Sequence, residues 1–334
     1  MAKKDKKLLI VGNSKSIHTK NLKELVKDYF LEVYITKDID FSFRNPLNII
    51  RAIKQSKNLL KSYKPDFIIL YQIDTAAFIF TLLNKKRIKT LVVSIGSDVL
   101  INSNKGFLYR LLIKYVINRG TFFNAGSFAI RDKMKEMANK DIDVVIANLG
   151  IENTEEREKQ DIIYSNRLHK PVYHLDKIVE AFFLFQQNKE RKNWRLVIAA
   201  TGEEDILKKR VKELGIEDKV DFVGWLDKEK NQYYYSISKI WVSLPESDSI
   251  SISLMEAMNN GCLPVVYDVP AIRGFIENKK NGIVVKDLNS NFLEDVFCLD
   301  IDDVVRKNKE LVKEFGDREK NKQKFYNIFD KAFN

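Results

Sequence analysis

Short β-branched runs alternate with helical stretches along the whole chain, which predicts an α/β protein of two Rossmann-like, doubly wound domains. Two further observations support a pair of domains. At 334 residues the chain is too long for one ordinary hydrophobic core and comfortable for two. The alternation also stops at a polar, acidic stretch, residues 150–159, and restarts after it. With 45% apolar residues the chain can bury real cores and is not of the disordered class.

Before the linker, strands are expected at 8–12, 32–36, 66–71, 90–94, 121–125 and 143–147. Helices are expected near 20–29, 46–62, 75–83, 106–118 and 127–139, the last capped by Ser127. After it, strands are expected at 161–165, 195–200, 219–223, 239–244, 263–267 and 282–285. Helices follow at 175–188, 203–214, 228–236 and 252–260, and a long helical tail covers 304–333. We therefore expect domains over 1–150 and 151–310, with residues 311–334 packing back towards the first domain. Such sheets bind ligands beyond the carboxyl ends of their strands, so the loops there are where chemistry is expected.

Lys and Arg number 57 against 46 Asp and Glu, a formal charge of +11. The surplus favours an anionic partner such as phosphate or anionic lipid, and it equally fits a solvated basic surface. No nucleic-acid motif is present, so nucleic acid is not an expected partner. Two cysteines, Cys262 and Cys298, give no disulfide framework and fit a reducing, cytoplasmic setting. The basic start, residues 1–7, precedes an apolar run, Leu8 to Val11, too short for a signal sequence. No run approaches the roughly 20 apolar residues of a membrane span. The stretch 106–118 carries Phe107, Leu108, Leu111, Leu112 and Tyr115 beside Arg110 and Lys114. It reads either as a core-packed helix or as a peripheral contact with an anionic membrane, at its inner face.

The most informative segment runs from Lys239 to Val285. A strand ends at Leu244-Pro245, and a loop follows through Asp248, Ser249, Ile250 and Ser251. A helix then begins at Ile252 and stops at Asn260-Gly261. Leu254, Ala257 and Met258 share its core face, and Glu256 lies off it. Asp248 and Glu256 can thus face one crevice, where the helix N-terminus offers an anion site for a diphosphate. The bland alternative is a capping box, with Ser253 and Glu256 serving only their own helix and Asp248 a turn residue.

Asp248, seven residues, then Glu256 in Leu254-Met255-Glu256-Ala257-Met258-Asn259-Asn260-Gly261 resembles the acidic-x7-Glu motif of retaining GT-B glycosyltransferases of the family 4 type. The resemblance continues through Ile276-Glu277 and Asn281-Gly282-Ile283-Val284-Val285. It implies a GT-B enzyme, two Rossmann-like domains facing an interdomain cleft. Glu256 would hold the ribose hydroxyls of a nucleotide-sugar donor, and Asp248 would contact the sugar. The family usually has Glu at the first position, and Asp is one methylene shorter.

Ile163-Tyr164-Ser165-Asn166-Arg167-Leu168-His169-Lys170 is similar to the family's first strand and Arg-bearing loop of the second domain. Arg167, with Lys170 at a shifted spacing, would neutralise the diphosphate. Phe222-Val223-Gly224-Trp225-Leu226 resembles the segment bordering the nucleobase, where the Leu226 backbone would meet the base. In the first domain, Gly12 and His18 follow the first strand in a loop resembling the one that abuts diphosphate and acceptor. Only Gly12 of a dinucleotide fingerprint is present, which argues against a dehydrogenase. Gly96-Ser97-Asp98 resembles a variant of the segment that often carries a His, which would put Asp98 near the reacting carbon.

The resemblance implies transfer of a hexose-type sugar to a saccharide, lipid-linked or protein-linked acceptor, in surface polysaccharide or glycolipid synthesis. Asp98, His18 and Asp248 are the catalytic candidates, and Ser249, Ile250, Ser251 and Ile252 join the donor-binding residues. A nucleotide-sugar epimerase or a non-catalytic partner subunit on the same fold are the alternatives. No metal or cofactor is expected. Three Asp-x-Asp pairs, Asp38/Asp40, Asp141/Asp143 and Asp300/Asp302, read as solvated surface, and no zinc, P-loop or nucleophile-elbow spacing occurs.

Overall fold

The computed structural model describes residues 3–36, 39, 46–152, 155, 157–246 and 251–334. The first sheet and its helices run β1 (Lys3–Val11), α1 (Ile17–Val26), β2 (Phe30–Ile35), α2 (Pro46–Tyr63), β3 (Phe67–Tyr71) and α3 (Thr75–Leu83). They continue as β4 (Thr90–Ser94), α4 (Ser97–Leu100), α5 (Phe107–Arg119), β5 (Phe122–Ala125), α6 (Phe128–Met137) and β6 (Val144–Ile146). The strands pair in parallel in the order β2-β1-β3-β4-β5-β6. β3 and β4 are buried at every position, as strands covered on both faces by helices must be. The Asp74 side chain caps α3 by accepting from the Ala77 amide, and Ser127 caps α6 by accepting from Ile130.

The second sheet runs β7 (Gln160–Ser165), α7 (Leu175–Phe185), β8 (Arg195–Ala199), α8 (Glu204–Glu213), β9 (Val220–Gly224) and α9 (Lys228–Ile237). Then come β10 (Ser238–Ser243), α10 (Ile252–Asn259), β11 (Leu263–Tyr267), β12 (Ile283–Val285), α11 (Ile301–Phe315) and α12 (Arg318–Phe333). Its parallel order is β12-β11-β10-β7-β8-β9. Each sheet is a doubly wound, Rossmann-like layer. The order reverses between β1 and β3 in the first and between β7 and β10 in the second. Such switch points are where ligands bind.

The chain forms two compact units, Met1–Gly150 with Arg318–Asn334, and Ile151–Asp317. The tail expected as one helix is two, broken at Gly316-Asp317. A Cβ at Gly316 would stand 3.0 Å from the Val312 carbonyl and 3.2 Å from the Met255 sulfur, so the end of α11 presses close on α10. The Gly316 carbonyl accepts from the Ile151 amide at 2.8 Å instead of continuing a helix. Residues 311–317 accordingly belong to the second unit, and α12 to the first. There the Phe329 ring packs 4.9 Å from Phe30 and 5.5 Å from Phe67, and the Tyr29 hydroxyl donates to Asp330 at 2.6 Å.

Candidate functional site

The switch point of the second sheet brings together Arg167, Ser251, Ile252 and the helix that carries Glu256. Arg167 follows β7 in the loop at its carboxyl end. Its Nε donates to the hydroxyl of Ser243, the last residue of β10, at 2.6 Å. A terminal nitrogen donates to the Ser251 hydroxyl at 3.0 Å. The guanidinium carbon lies 5.6 Å from the Trp241 ring and 5.9 Å from the Tyr173 ring. The cation is thus held in one pose on both sides of the switch point. Ser251 is the N-cap of α10, its hydroxyl accepting from the Leu254 amide at 3.1 Å. The positive end of that helix therefore starts beside the guanidinium, an arrangement suited to a diphosphate.

Glu256 stands in the second turn of α10, and here the capping-box alternative fails. The helix begins at Ile252, its cap is Ser251, and Ser253 lies inside it. Glu256 instead faces the Tyr235 hydroxyl and the Gln232 side chain of α9. Burial pushes its carboxyl up to about 7, opposed by Lys228, Tyr235 and Gln232 and reinforced by Glu152.

A partly buried polar network that sequence reasoning missed lies behind Tyr235, which faces this carboxylate. Asn166 donates to the Tyr235 hydroxyl at 2.7 Å and accepts from the Trp241 indole at 3.0 Å. Tyr164 donates to Asn231 at 2.5 Å. Only the position of Asn166, directly before Arg167, could have signalled it.

Asp248, Ser249 and Ile250 lie outside the described residues, as do Asp38 and Asp40. Ile252 opens α10 and is half-buried. The Leu226 side chain packs partly into the core formed around Trp241 and Met255, while its neighbour Trp225 is 71% exposed. Lys170 is exposed at the start of the turn 171–173.

In the first unit, Gly12 lies at the switch point, its amide donating to the Thr36 hydroxyl at 3.1 Å. A Cβ there would meet Thr19 at 3.3 Å and Tyr71 at 3.4 Å, so the bare backbone lets α1 seat closely on the sheet. His18 is exposed in the first turn of α1.

Asp98 lies in α4, in the turn after β4. It is wholly buried, and its carboxylate accepts from the Ile73 amide at 2.8 Å, the Ser94 hydroxyl at 2.7 Å and the Gly96 amide at 2.9 Å. A fourth donor, the Val99 amide, lies at 3.1 Å. Burial raises its pKa and these four donors oppose the rise. Asp98 ties the turn after β4 to the residues after β3, a positioning role.

A cavity of about 380 Å³ opens elsewhere, lined by Arg157, Lys159, Trp194, Lys239 and Gly261. It sits at the amino ends of β7, β10 and β11, the end of such a sheet away from its ligands. Among the described residues no three His, Cys, Asp or Glu side chains gather to hold a metal ion, and no helix is long and apolar enough to cross a membrane.

Comparison with known proteins agrees with this fold. Sucrose-phosphate synthase from Thermosynechococcus elongatus has the same fold, with a TM-score of 0.75, 14% identity, and coverage of 98% of this chain and 99% of that one. Anabaena HepE, solved in complex with UDP, gives 0.75 at 13% identity, covering 98% and 100%. The GDP-mannose:cellobiosyl-diphosphopolyprenol alpha-mannosyltransferase of Xanthomonas oryzae is 27% identical over 112 residues, 32% of this chain and 30% of its own. The chain spans 38% or less of the length of the curated relatives it matches. The family of glycosyl transferases group 1 matches residues 149–321, just over half of the chain and the whole of the Arg167 and Glu256 constellation. The protein has the GT-B fold and belongs to the glycosyl transferases group 1 family.

Proposed function

We propose that the protein is a retaining glycosyltransferase that moves a hexose-type sugar from a nucleotide-sugar donor to an acceptor hydroxyl, in surface polysaccharide or glycolipid synthesis. The observation that carries the reading is the mooring of Arg167 to Ser251 at the start of α10, with Glu256 one turn further along. Arg167 and the helix-terminal amides stabilise the charge that builds on the leaving diphosphate, with no divalent metal required. Lys170, exposed in the same loop, adds a second cation. Glu256 accepts the ribose hydroxyls, Leu226 borders the base, and Asp248 with Ser249 and Ile250 contacts the sugar side of the donor. Gly12 and His18 border the acceptor.

The acceptor we favour is lipid-linked, presented at the cytoplasmic face of a membrane. Phe107 and Leu108 at the start of α5 are 74% and 79% exposed, and Tyr109 and Leu111 are exposed beside them. Lys105 and Arg110 are exposed among them, and Lys114 follows one turn later. Apolar side chains ringed by cations match an anionic lipid surface. The Xanthomonas relative is itself named for a diphosphopolyprenol-linked acceptor.

The test is a thermal-shift screen of UDP- and GDP-sugars, followed by transfer from the best donor to a polyprenyl-diphosphate saccharide. A donor at 100 times its dissociation constant should stabilise the fold by about 2.7 kcal/mol. No stabilisation by any nucleotide sugar at saturating concentration would overturn the reading.

A further inference from the structure

The hydrogen bonds behind Glu256 have a direction, and one group decides it. An indole N–H can only donate. Trp241 donates to the Asn166 carbonyl oxygen at 3.0 Å, which fixes which end of that amide points where. The Asn166 amide nitrogen must then face the other way, and it donates to the Tyr235 oxygen at 2.7 Å and to the Asn231 oxygen at 3.2 Å. Asn231 is held in turn by the Tyr164 hydroxyl. Tyr235 is wholly buried, so water cannot take its proton, and its oxygen already accepts from Asn166. Its one O–H is left to point onward to α10, where the Glu256 carboxylate and the Ser253 hydroxyl face it.

We infer that Tyr235 is a positioning residue for donor binding: a one-way chain, Trp241 to Asn166 to Tyr235 to Glu256, holds the carboxylate in the pose that accepts the ribose diol. The inference rests on the proposed donor role of Glu256. An ionised carboxylate has about four acceptor sites, enough for Tyr235, Gln232 and two vicinal hydroxyls. A chain with every member satisfied is rigid, and removing one link leaves a buried group without its partner. The chain also joins the two halves of the site. Asn166 and Arg167 are neighbours in sequence, and the Trp241 indole that bonds Asn166 lies against the Arg167 guanidinium.

The groups facing Glu256 are Lys228, Gln232 and Tyr235 from α9, Glu152 from the segment before β7, and Tyr164 from β7. Of these, Tyr235 and Gln232 favour the charged form through hydrogen bonds. Tyr235→Phe removes the donor and keeps the ring. Asn166→Asp keeps the acceptor for Trp241 but cannot donate, so the Tyr235 proton turns back to residue 166 and leaves Glu256.

The probes are UDP and GDP, which carry a ribose, and inorganic pyrophosphate, which does not, titrated calorimetrically from pH 5 to 9 against wild type, both variants and Glu256→Gln. We expect Tyr235→Phe and Asn166→Asp each to weaken nucleoside diphosphate binding about five- to tenfold. Pyrophosphate binding should be unchanged, and the pH midpoint of nucleotide binding should move upward. If Glu256→Gln weakens nucleotide binding while both chain variants leave affinity and midpoint unchanged, the relay is overturned and the donor role of Glu256 stands. If Glu256→Gln itself changes nothing, the donor role falls and the relay with it. Equal losses for nucleotide and pyrophosphate would mark general damage to the site and also overturn the relay. Should Tyr235→Phe fail to fold, Asn166→Asp decides alone.

Discussion

The Arg167 guanidinium donates to the Ser251 hydroxyl at 3.0 Å, which moors the cation to the cap of the helix that carries Glu256. Cation, helix terminus and carboxylate are therefore linked through Ser251 and α10. Arg167→Ala should weaken pyrophosphate and nucleoside diphosphate binding alike, because both present the diphosphate. Charge-assisted bonds worth about 1.5–3 kcal/mol correspond to a loss of roughly 10- to 150-fold. Arg167→Lys should recover only part, since an ammonium cannot bond Ser243, Ser251 and a phosphate in one plane. Calorimetric titration of the two ligands checks this, and an unimpaired Arg167→Ala would remove the diphosphate site from this loop.

Glu256 gives the empty protein a specific pH response. Burial raises its folded pKa to about 7 from the ordinary 4.5, so between these the folded state binds a proton that the unfolded chain has released. The associated stability is complete below the lower value and is lost as pH rises through the upper one. Its size is at most on the order of 3 kcal/mol. Glu256→Gln should flatten this part of the pH profile and be the more stable protein at pH 8. Donor affinity should meanwhile fall, because Gln cannot accept the ribose diol as a carboxylate does. Urea melts from pH 4 to 9 check the first statement, and parallel slopes for the two proteins would contradict it.

Asp98→Asn should act on folding rather than on chemistry. Three donors converge on one carboxylate oxygen and the Ile73 amide on the other, so an Asn side chain must aim an N–H at an N–H. One unsatisfied buried contact of this kind costs about 1–3 kcal/mol. The melting temperature should drop, while turnover per folded molecule at low temperature stays near wild type. A large loss of turnover with an unchanged melting temperature would return Asp98 to the reacting centre.

What was legible in the sequence was what local pattern encodes. β3 and β4 are continuous apolar runs because both faces are covered, and such runs announce themselves. The strand end before Arg167 and the helix that carries Glu256 were legible from apolar runs and turn residues, while the roles of the two side chains came from the family resemblance. The rest depended on contacts distant in sequence. Tyr233, Tyr234 and Tyr235 are three identical residues, and nothing local tells that Tyr235 is buried while Tyr233 is 44% exposed. Ser251 and Ser253 both suit a cap, and only Ser251 takes that place. The break at Gly316 answers to Met255 on another helix, and the burial of Asp98 answers to the amide of Ile73.

Transfer should survive chelation. The proposed site meets the donor diphosphate with a guanidinium and helix amides, so the leaving group's charge has a partner without a divalent ion. Activity assayed with and without EDTA should agree within error. Activity lost on chelation and restored by Mn²⁺ or Mg²⁺ would require a metal in the reaction.

The first turns of α5 should bring the protein to anionic membranes. The helix divides along its length: Ile113, Val116 and Ile117 lie in the core, while Phe107, Leu108, Tyr109 and Leu111 face solvent. Full burial of a large apolar side chain contributes about 1.5–3 kcal/mol, and each cation near an anionic surface about 1 kcal/mol. Binding should therefore rise with phosphatidylglycerol content and fall with salt in vesicle co-sedimentation. Replacing Phe107 and Leu108 together by Ser removes the two most exposed apolar side chains of α5 and should leave the fold intact. The double variant should lose most vesicle binding and retain transfer to a short, water-soluble acceptor. Arg110→Glu should weaken binding most at low salt, because its contribution is electrostatic. Equal binding to neutral vesicles would assign the patch to non-specific apolar contact. No binding to anionic vesicles at low salt would remove the membrane from the proposal and leave a soluble saccharide as the acceptor to pursue.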